Sequence, residues 1–242
     1  MTTKLTIDEG NSSTKVALWE DDRMTDVRTC PVDEIPALMA GRTVDAAIFC
    51  SVCRRDPELR RMADDLLAPL AAHYIRLGAD TPVPLTVDYR TPATLGADRL
   101  AAACGAAALA PGRTVLTVDM GTAITYDVVT ADAHFAGGNI APGIFVRLEA
   151  LNHFTSALPL VETDGDCPRW GYDTATAMRA GAIRGVVGEI QYYRHCLGPD
   201  AVTILTGGSA DLVLPYISSP AIVEPNLVLT GLNRILNYNE NQ

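Results

Sequence analysis

The side chains best suited to binding or catalysis form a polar run near the start of the chain. It occupies positions 8–15 and reads DEGNSSTK. A glycine in such a turn lets the backbone approach an anion closely, and successive N–H groups point toward it. Asn11 and Ser12 add polar side chains, and Lys15 adds a positive charge. Asp8 offers the oxygen ligand that Mg²⁺ prefers. The run predicts a phosphate-binding loop, with an ordinary polar hairpin turn as the alternative.

A second run repeats the first. Residues 116–130, LTVDMGTAITYDVVT, align without a gap with residues 5–19, LTIDEGNSSTKVALW. Asp119 falls on Asp8, and each run passes from an apolar strand to Asp, then to glycine, then to a second alternating strand. This pattern is typical of a β-hairpin whose tight turn uses glycine. The repeat predicts two similar halves, with Thr122 as a phosphate contact and Asp119 as a cation ligand or a turn cap.

Between the two runs, Gly96-Ala97-Asp98-Arg99 places a carboxylate and a guanidinium at the start of a helix. An acidic residue suits this end of the helix dipole, but a cation is disfavoured there, so Arg99 suggests a ligand. Arg99 can hold a carboxylate through two parallel hydrogen bonds. Asp98 can accept a proton from an attacking hydroxyl group. The four residues predict an acceptor site, with a plain helix start as the alternative.

The elements around these motifs alternate between strands and helices. Residues 44–52 are predicted to form a buried strand, and Asp56 and Pro57 to begin a helix as its N-cap and first residue. The face of that helix predicted for burial is formed by Leu59, Met62, Leu66 and Leu70. An alanine-rich helix is predicted at 97–110. Pro111-Gly112 ends it, which predicts two domains, 1–112 and 113–242.

The second half repeats this alternation. The glycine-rich stretch 136–143 is predicted to be a turn, and Pro142 to begin a helix. The residues expected on one side of that helix are Ile144, Leu148 and Leu151. Asp173 is predicted to cap a long helix, and residues 226–236 to form a short final one. Strands with covering helices in two halves indicate an α/β protein.

Composition argues against several classes of function. The formal net charge of −10 disfavours a general nucleic-acid binder, which needs a basic face to displace counterions. No apolar stretch approaches the roughly 18–20 residues that span a bilayer, and the N-terminus lacks an apolar signal segment. We therefore expect a cytoplasmic protein with no membrane partner. Cys50 and Cys53 form a lone C-x-x-C, which favours buried strand-end thiols over a zinc site.

Together the motifs resemble those of the type III pantothenate kinases, within the acetate and sugar kinase/Hsp70/actin superfamily. Residues 8–15 resemble the family's D-x-G-N-[ST]-x-x-K loop, and residues 119–125 resemble its second phosphate motif. Residues 89–99, YRTPATLGADR, are similar to its acceptor motif, Y-x-x-P-x-x-L-G-x-D-R. Asp173 and Thr174 are similar to the start of a family segment, N-T-x-x-A.

The resemblance implies a fold and an activity. The fold is α/β, an actin-like ATPase fold of two ribonuclease-H-like halves, each a mixed sheet with covering helices. The activity is ATP-dependent phosphorylation of pantothenate to 4'-phosphopantothenate, the first step of coenzyme A biosynthesis. The resemblance also implies a homodimer that uses ATP, Mg²⁺ and a monovalent cation, K⁺ or NH₄⁺.

The resemblance also implies residue roles. The implied contacts to ATP are Asp8, Glu9, Gly10, Asn11, Ser12, Ser13, Thr14, Lys15 and Thr122. The implied contacts to pantothenate are Tyr89, Gly96, Ala97, Asp98, Arg99 and Thr174. Asp98 is implied to be the general base, and Asp119 to bind the monovalent cation.

Two departures from the family pattern are visible. Ser12 replaces the commoner Thr and keeps the hydroxyl, and Asp173 replaces the commoner Asn and adds negative charge beside an anionic substrate. Two other functions stay open. One is a different phosphotransferase of the superfamily, acting on a sugar or an acetate-like acid. The other is a non-catalytic regulator built on the same nucleotide-binding fold.

Overall fold

The computed structural model describes residues 2–53 and 56–240. The chain forms two compact units. The first comprises Met1–Pro111, Asp132–Ala136 and Asn226–Gln242, and the second comprises Gly112–Ala131 and Gly137–Pro225. The predicted division into 1–112 and 113–242 differs from these units chiefly in the C-terminal segment, which belongs with the first. In the described part of the chain, no helix has both the length and the apolar character needed to cross a bilayer.

The first unit is built on a five-stranded sheet. Its strands are β1 (Thr3–Glu9), β2 (Thr14–Glu20), β3 (Arg23–Thr29), β4 (Ala46–Ser51) and β5 (His73–Arg76). Their order is β3-β2-β1-β4-β5. The β1–β2 and β2–β3 pairs are antiparallel, whereas β4 lies parallel to β1 and β5 parallel to β4. Leu5, Ile7 and Phe49 are almost fully buried and belong to one apolar core.

Helices and a short strand complete this part of the chain. They are α1 (Ile35–Leu38), α2 (Pro57–Leu67), β6 (Thr86–Val87) and α3 (Ala97–Leu109). Asp56 caps α2 by accepting a hydrogen bond from the backbone N–H of Glu58 at 2.7 Å, and Pro57 is the first helical residue. Both positions are confirmed, because each residue acts locally on the helix end.

The second unit contains most of the other sheet. The strands that follow α3 are β7 (Val115–Met120), β8 (Ala123–Val129) and β9 (His134–Pro142), and the helices α4 (Ile144–Phe154) and α5 (Thr174–Leu197) come next. The remaining elements of this part are β10 (Val202–Thr206), α6 (Ala210–Val213) and β11 (Ile222–Val223). The sheet order is β11-β10-β7-β8-β9-β6. The pairing of β6 with residues 134 and 135 of β9 belongs to the first unit.

The last helix, α7 (Leu227–Glu240), returns to the first unit and packs on α3. Two glycines allow the close approach. A Cβ on Gly105 would lie 2.5 Å from the carbonyl oxygen of Leu227, and one on Gly231 would overlap the carbonyl group of Ala101. The predicted short C-terminal helix is therefore a long one, mostly buried along its length.

The predicted apolar face of α2 is wrong at three of its four positions, since only Leu70, which lies beyond the end of α2, packs partly buried against the core. Leu59, Met62 and Leu66 are 47%, 53% and 41% exposed, whereas Ala63 and Leu67 face the core. A small alanine at the contact lets the helix approach the sheet closely. The four-residue pattern fits a helix face, but hydrophobicity alone does not decide which face is covered.

The predicted turn at 136–143 is also wrong, because these residues continue β9 as far as Pro142. Gly138 fits there because a side chain would overlap the carbonyl oxygen of Tyr126. The helix predicted to begin at Pro142 begins at Ile144. Its Ile144 and Leu148 are buried as expected, but Leu151 is 38% exposed.

Candidate active site

The first phosphate motif is the hairpin turn between β1 and β2, as predicted. The N–H of Gly10 donates to the carbonyl oxygen of Ser13 at 3.0 Å, which closes the turn. The side chains of Asn11, Ser12 and Ser13 are exposed around it. Asp8 and Lys15 are directly opposite each other in the two strands. The turn therefore presents exposed polar groups at the end of a paired two-stranded support.

The end of β4 braces this turn. The Ser51 hydroxyl donates to a Glu9 carboxylate oxygen at 2.6 Å, and the N–H of Val52 donates to the carbonyl oxygen of Glu9 at 3.2 Å. The Cys53 thiol lies 2.9 Å from the carbonyl oxygen of Gly10. Cys50 is buried, as expected for a strand-end thiol, but Cys53 is exposed and contacts the motif. The expectation of two buried thiols is therefore half wrong.

The second phosphate motif is the turn between β7 and β8. The N–H of Gly121 donates to the carbonyl oxygen of Ala123 at 3.1 Å, and Gly121 and Thr122 are exposed. The N–H of Gly143 donates to the carbonyl oxygen of Thr122 at 2.9 Å. Any side chain at position 143 would overlap the backbone of this turn. The start of α4 is thus fitted closely against the phosphate motif.

Asp119, the predicted cation ligand, is the second-to-last residue of β7 and pairs with Thr206 of the neighbouring strand β10. Gly207 follows with φ of +86°, and a Cβ there would lie 2.5 Å from the Asp119 Oδ1 atom. The N–H of Ser209 donates to the carbonyl oxygen of Met120 at 3.1 Å. The Gly207 turn is therefore shaped around the Asp119 carboxylate.

Asp98 stands at the start of α3, where Gly96 is the N-cap. Its Oδ1 atom accepts a hydrogen bond from the N–H of Arg99 at 2.8 Å. A Cβ at position 96 would overlap the same oxygen, so glycine is required for this arrangement. Burial raises the pKa of Asp98, and the hydrogen bond and charge of Arg99 oppose that rise. A carboxylate with a raised pKa is a stronger base than an ordinary one.

The guanidinium of Arg99 lies beside two aromatic rings that contact each other. Its Cζ atom lies 5.7 Å from the centre of the Tyr89 ring and 5.8 Å from that of Phe135. The two rings meet edge to face, with centres 6.1 Å apart and planes at 60°. The structure therefore brings together Tyr89 and Arg99, both predicted from the sequence, and adds Phe135. The only sequence signal for Phe135 is an aromatic residue ahead of a Gly-Gly pair, which does not indicate a partner.

A cavity of about 510 Å³ lies beside this helix start, within the first unit. Its apolar lining includes Phe49, Val87, Leu95 and Leu100, and two cations, Arg60 and Arg76, also reach it. Gly96 and Ala97 of the acceptor motif form part of its wall. The cavity can hold a small molecule with an apolar centre and an anionic end.

Thr174 is the exposed first residue of α5. Asp173 before it accepts hydrogen bonds from the Thr176 N–H at 2.8 Å and hydroxyl at 2.7 Å. These bonds lower the pKa of Asp173. The N–H of Asp173 donates in turn to the Thr176 hydroxyl at 3.1 Å, which completes a capping box. The predicted cap is confirmed, with Asp173 in the place where the family pattern commonly has Asn.

Comparison with known proteins identifies the family. The family described as type III pantothenate kinase matches residues 4–195. The chain belongs to the type III pantothenate kinase family. It is 40% identical to a type III pantothenate kinase of Porphyromonas gingivalis over 248 aligned residues, covering 99% of this chain and all of that one. The family member of Phocaeicola vulgatus is also 40% identical, with 98% of both chains covered.

Solved structures support the fold. A structure described as a conserved putative Baf family transcriptional activator, from Campylobacter jejuni, has a TM-score of 0.67 at 22% identity and covers 98% of this chain and all of its own. A ROK family glucokinase from Streptomyces griseus has a TM-score of 0.57 at 14% identity, with coverage of 99% and 100%. At these identities the likeness concerns the fold alone. It confirms the predicted α/β fold shared with actin-like kinases.

Proposed function

We propose that the protein transfers the γ-phosphate of ATP to the primary hydroxyl of pantothenate, the first step of coenzyme A biosynthesis. Family membership supports the substrate and the reaction. The observation that carries the proposal is the helix start of α3, where the partly buried Asp98 carboxylate and the buried Arg99 side chain are neighbours. Asp98 can act as a base toward a hydroxyl group, and Arg99 can bind a carboxylate. Pantothenate carries both a hydroxyl and a carboxylate.

In this proposal Asp98 accepts the proton of the attacking hydroxyl. Its raised pKa suits that role, because a more basic carboxylate takes a proton more readily in the transition state. Arg99 and Tyr89 hold the pantothenate carboxylate end, and Gly96 and Ala97 line its path. The apolar lining of the adjacent cavity matches the gem-dimethyl group of pantothenate. Positioning and charge neutralisation supply most of the acceleration in phosphoryl transfer.

We propose that ATP is bound by the two phosphate motifs. The residues involved are Asp8, Glu9, Gly10, Asn11, Ser12, Ser13, Thr14, Lys15 and Thr122. Their donor set, of turn N–H groups, hydroxyls and one lysine, fits phosphate oxygens. The carboxylates of Asp8 and Asp119 fit hard cations. We propose Mg²⁺ with ATP and K⁺ or NH₄⁺ at Asp119, where the cations neutralise charge on the phosphates.

We further propose that the protein is a homodimer. The second unit exposes several large apolar side chains on and around α4: Ile140 (64%), Phe145 (48%), Phe154 (81%) and Leu160 (52%). Phe154 and Leu160 line one pocket, and exposed apolar side chains that lie together are typical of a protein interface. In the dimer, Thr174 completes the pantothenate site of the other subunit. A cytoplasmic location stays a prediction from the sequence.

A panel of acceptors tests the function. The purified protein is mixed with ATP and Mg²⁺ and with pantothenate, glucose, other sugars or acetate in turn, and ADP release is measured in potassium and then in sodium. We expect release with pantothenate alone, and faster release in potassium. Turnover of a sugar or of acetate would identify another phosphotransferase. Absence of release with every acceptor would favour a non-catalytic regulator.

A further inference from the structure

The side chain of Arg147 joins three elements of the second unit, β9, α4 and α5. Its Nε atom donates to the carbonyl oxygen of Pro142, the last residue of β9, at 2.8 Å. Its Nη2 atom donates to a carboxylate oxygen of Glu189 in α5 at 2.7 Å. The Nη1 atom lies against Gly185 of the same helix, where an added Cβ would come within 3.4 Å of it. The partly buried guanidinium therefore holds two acceptors at once and fits closely against α5.

The carboxylate of Glu189 anchors this guanidinium. The oxygen that accepts from Arg147 also accepts from the hydroxyl of Tyr126 at 2.6 Å. Burial would raise the pKa of Glu189, but the hydrogen bonds from Arg147 and Tyr126 outweigh it and keep that pKa below its ordinary value. Burial and the bond to Glu189 raise the pKa of Tyr126, so its hydroxyl stays a donor. Glu189 is therefore an anion fixed by two donors from other elements.

The Pro142 carbonyl adjoins the second phosphate motif. The next residue, Gly143, donates its N–H to the carbonyl oxygen of Thr122 at 2.9 Å. A Cβ on Gly143 would lie 2.3 Å from the carbonyl oxygen of Gly121 and 2.6 Å from that of Thr122. The start of α4 and the phosphate turn are thus in direct backbone contact. A shift of the chain at Pro142 would therefore displace the turn.

Two further observations make Arg147 the group that fixes this contact. Gly143 is the N-cap of α4 and offers no side-chain cap, so the bond from Arg147 to Pro142 ties the entering chain to the helix. Tyr126 lies on β8, which begins directly after the turn, so the same network holds both sides of it. A ligand site whose groups are fixed beforehand loses less entropy on binding.

We propose that Arg147 is a positioning residue that, anchored by Glu189, holds the second phosphate motif in place to bind ATP. This inference rests on the proposed function, in which the turn at Thr122 contacts the phosphates. It assigns Arg147 no contact with ATP or with the acceptor. Loss of its two-acceptor contact should therefore weaken ATP binding and leave the KM for pantothenate unchanged.

Arg147→Lys tests the proposal, because lysine keeps the charge opposite Glu189 but supplies a point charge in place of a planar fork. Equilibrium binding of ATP with Mg²⁺ is measured without an acceptor, and steady-state kinetics give the KM for each substrate. We expect the Kd and the KM for ATP to rise about fivefold and the KM for pantothenate to stay within twofold of wild type.

Arg194→Lys is the matched control. Arg194 is also partly buried, and it donates to the Thr203 hydroxyl at 3.0 Å and to the Pro220 carbonyl oxygen at 2.7 Å. Thr203 lies near the start of β10, whereas Asp119 pairs with the other end of that strand. Arg194→Lys therefore removes a similar contact away from the phosphate motif, and ATP affinity should be unchanged.

A double-mutant cycle tests the anchoring by Glu189. Glu189→Ala should raise the Kd for ATP about as much as Arg147→Lys, and the double variant should bind no more weakly than either single one, because both changes break one network. If Arg147→Lys does not fold, Glu189→Gln, which keeps an acceptor oxygen but loses the charge, should raise the Kd for ATP by a smaller factor.

Several results would overturn the role of Arg147. They are an unchanged Kd for ATP in Arg147→Lys, an equal rise in Arg194→Lys, an equal rise in the KM for pantothenate, and additive effects in the double variant. Failure of a wild-type protein that binds ATP to phosphorylate pantothenate would instead overturn the proposed acceptor, and the ATP-binding measurements would still decide the role of Arg147.

Discussion

Asp98 is a carboxylate that the fold makes unfavourable to ionise. Burial raises its pKa, and the N–H and the charge of Arg99 only partly compensate. An acid whose pKa is raised on folding lowers stability at every pH above its folded pKa, and this effect disappears below the unfolded pKa near about 4. A partly buried carboxylate with a raised pKa beside an arginine is typical of a catalytic site.

Asp98→Asn should therefore lose activity and gain stability. The amide oxygen can still accept the Arg99 N–H, so the helix start is kept, but the amide cannot take a proton. We expect turnover to fall by about 10²–10⁴-fold and pantothenate binding to stay within a few-fold of wild type. We also expect a higher melting temperature than wild type near about pH 8, with the difference shrinking toward about pH 4.

Calorimetric titration of pantothenate and thermal melts across pH check both expectations. The control is Asp33→Asn, which changes an acidic residue outside the site in the same way. Near-normal turnover of Asp98→Asn would remove Asp98 from the role of general base, whatever its effect on stability.

Among the elements, the turn after β10 has a backbone conformation that favours glycine beside the proposed cation ligand. Gly207 has a positive φ, and its missing Cβ leaves room for the Asp119 carboxylate. Gly207→Ala should displace that carboxylate and raise the potassium concentration needed for half-maximal activity several-fold. Gly208→Ala is the matched control, because a Cβ there meets nothing within 4 Å. The measurement is activity as a function of potassium concentration. If both variants need the same potassium concentration for half-maximal activity, Asp119 is not the cation ligand.

The capping box in the first turn of α5 should contribute to the stability of the protein. Asp173→Ala removes both hydrogen bonds to Thr176 and should lower the melting temperature by a few degrees. Asp173→Asn keeps an acceptor oxygen and should stay close to wild type at neutral pH. Because the pKa of Asp173 is lowered on folding, its charge stabilises the protein above the unfolded pKa, and this contribution is lost as pH falls through the folded pKa.

Thermal melts of wild type, Asp173→Asn and Asp173→Ala over a range of pH measure these contributions. The difference in melting temperature between wild type and Asp173→Ala should shrink in acid, because the charge of Asp173 is lost there. If Asp173→Ala has the same melting temperature as wild type, the capping box contributes nothing to stability.

Features determined by neighbouring residues could be predicted from the sequence, whereas features determined by contacts with distant residues could not. The hairpin turns, the caps at Asp56 and Asp173 and the helix start at Gly96 were predictable, because neighbouring residues determine them. The covered face of α2 was not, since Ala63 rather than Met62 faces the core for reasons that lie in other elements. Phe135 was missed for the same reason, because its partner Arg99 is distant in the chain. The roles of Thr174 and Asp119 stay predictions.

At the scale of the whole molecule, the exposed apolar side chains around α4 predict the quaternary structure. Phe154→Glu places a charge on this surface and should convert the proposed homodimer to a monomer, as measured by sedimentation. Pantothenate turnover should fall with it, because Thr174 would no longer reach the other subunit's site. Met62→Glu is the control, since Met62 is also an exposed apolar residue, at 53%, but lies on α2 of the first unit. A monomeric wild-type protein with full activity would contradict the dimer.

The packing of α7 on α3 has a consequence for how the protein is made. The first unit takes its last helix from residues that follow the entire second unit in the chain. During translation, α3 emerges long before Leu229, Leu232 and Leu236, which α7 buries. Domains generally fold as units while the ribosome is still working. Here the second unit can fold on the ribosome, whereas the first unit can cover α3 only after α7 has been synthesised.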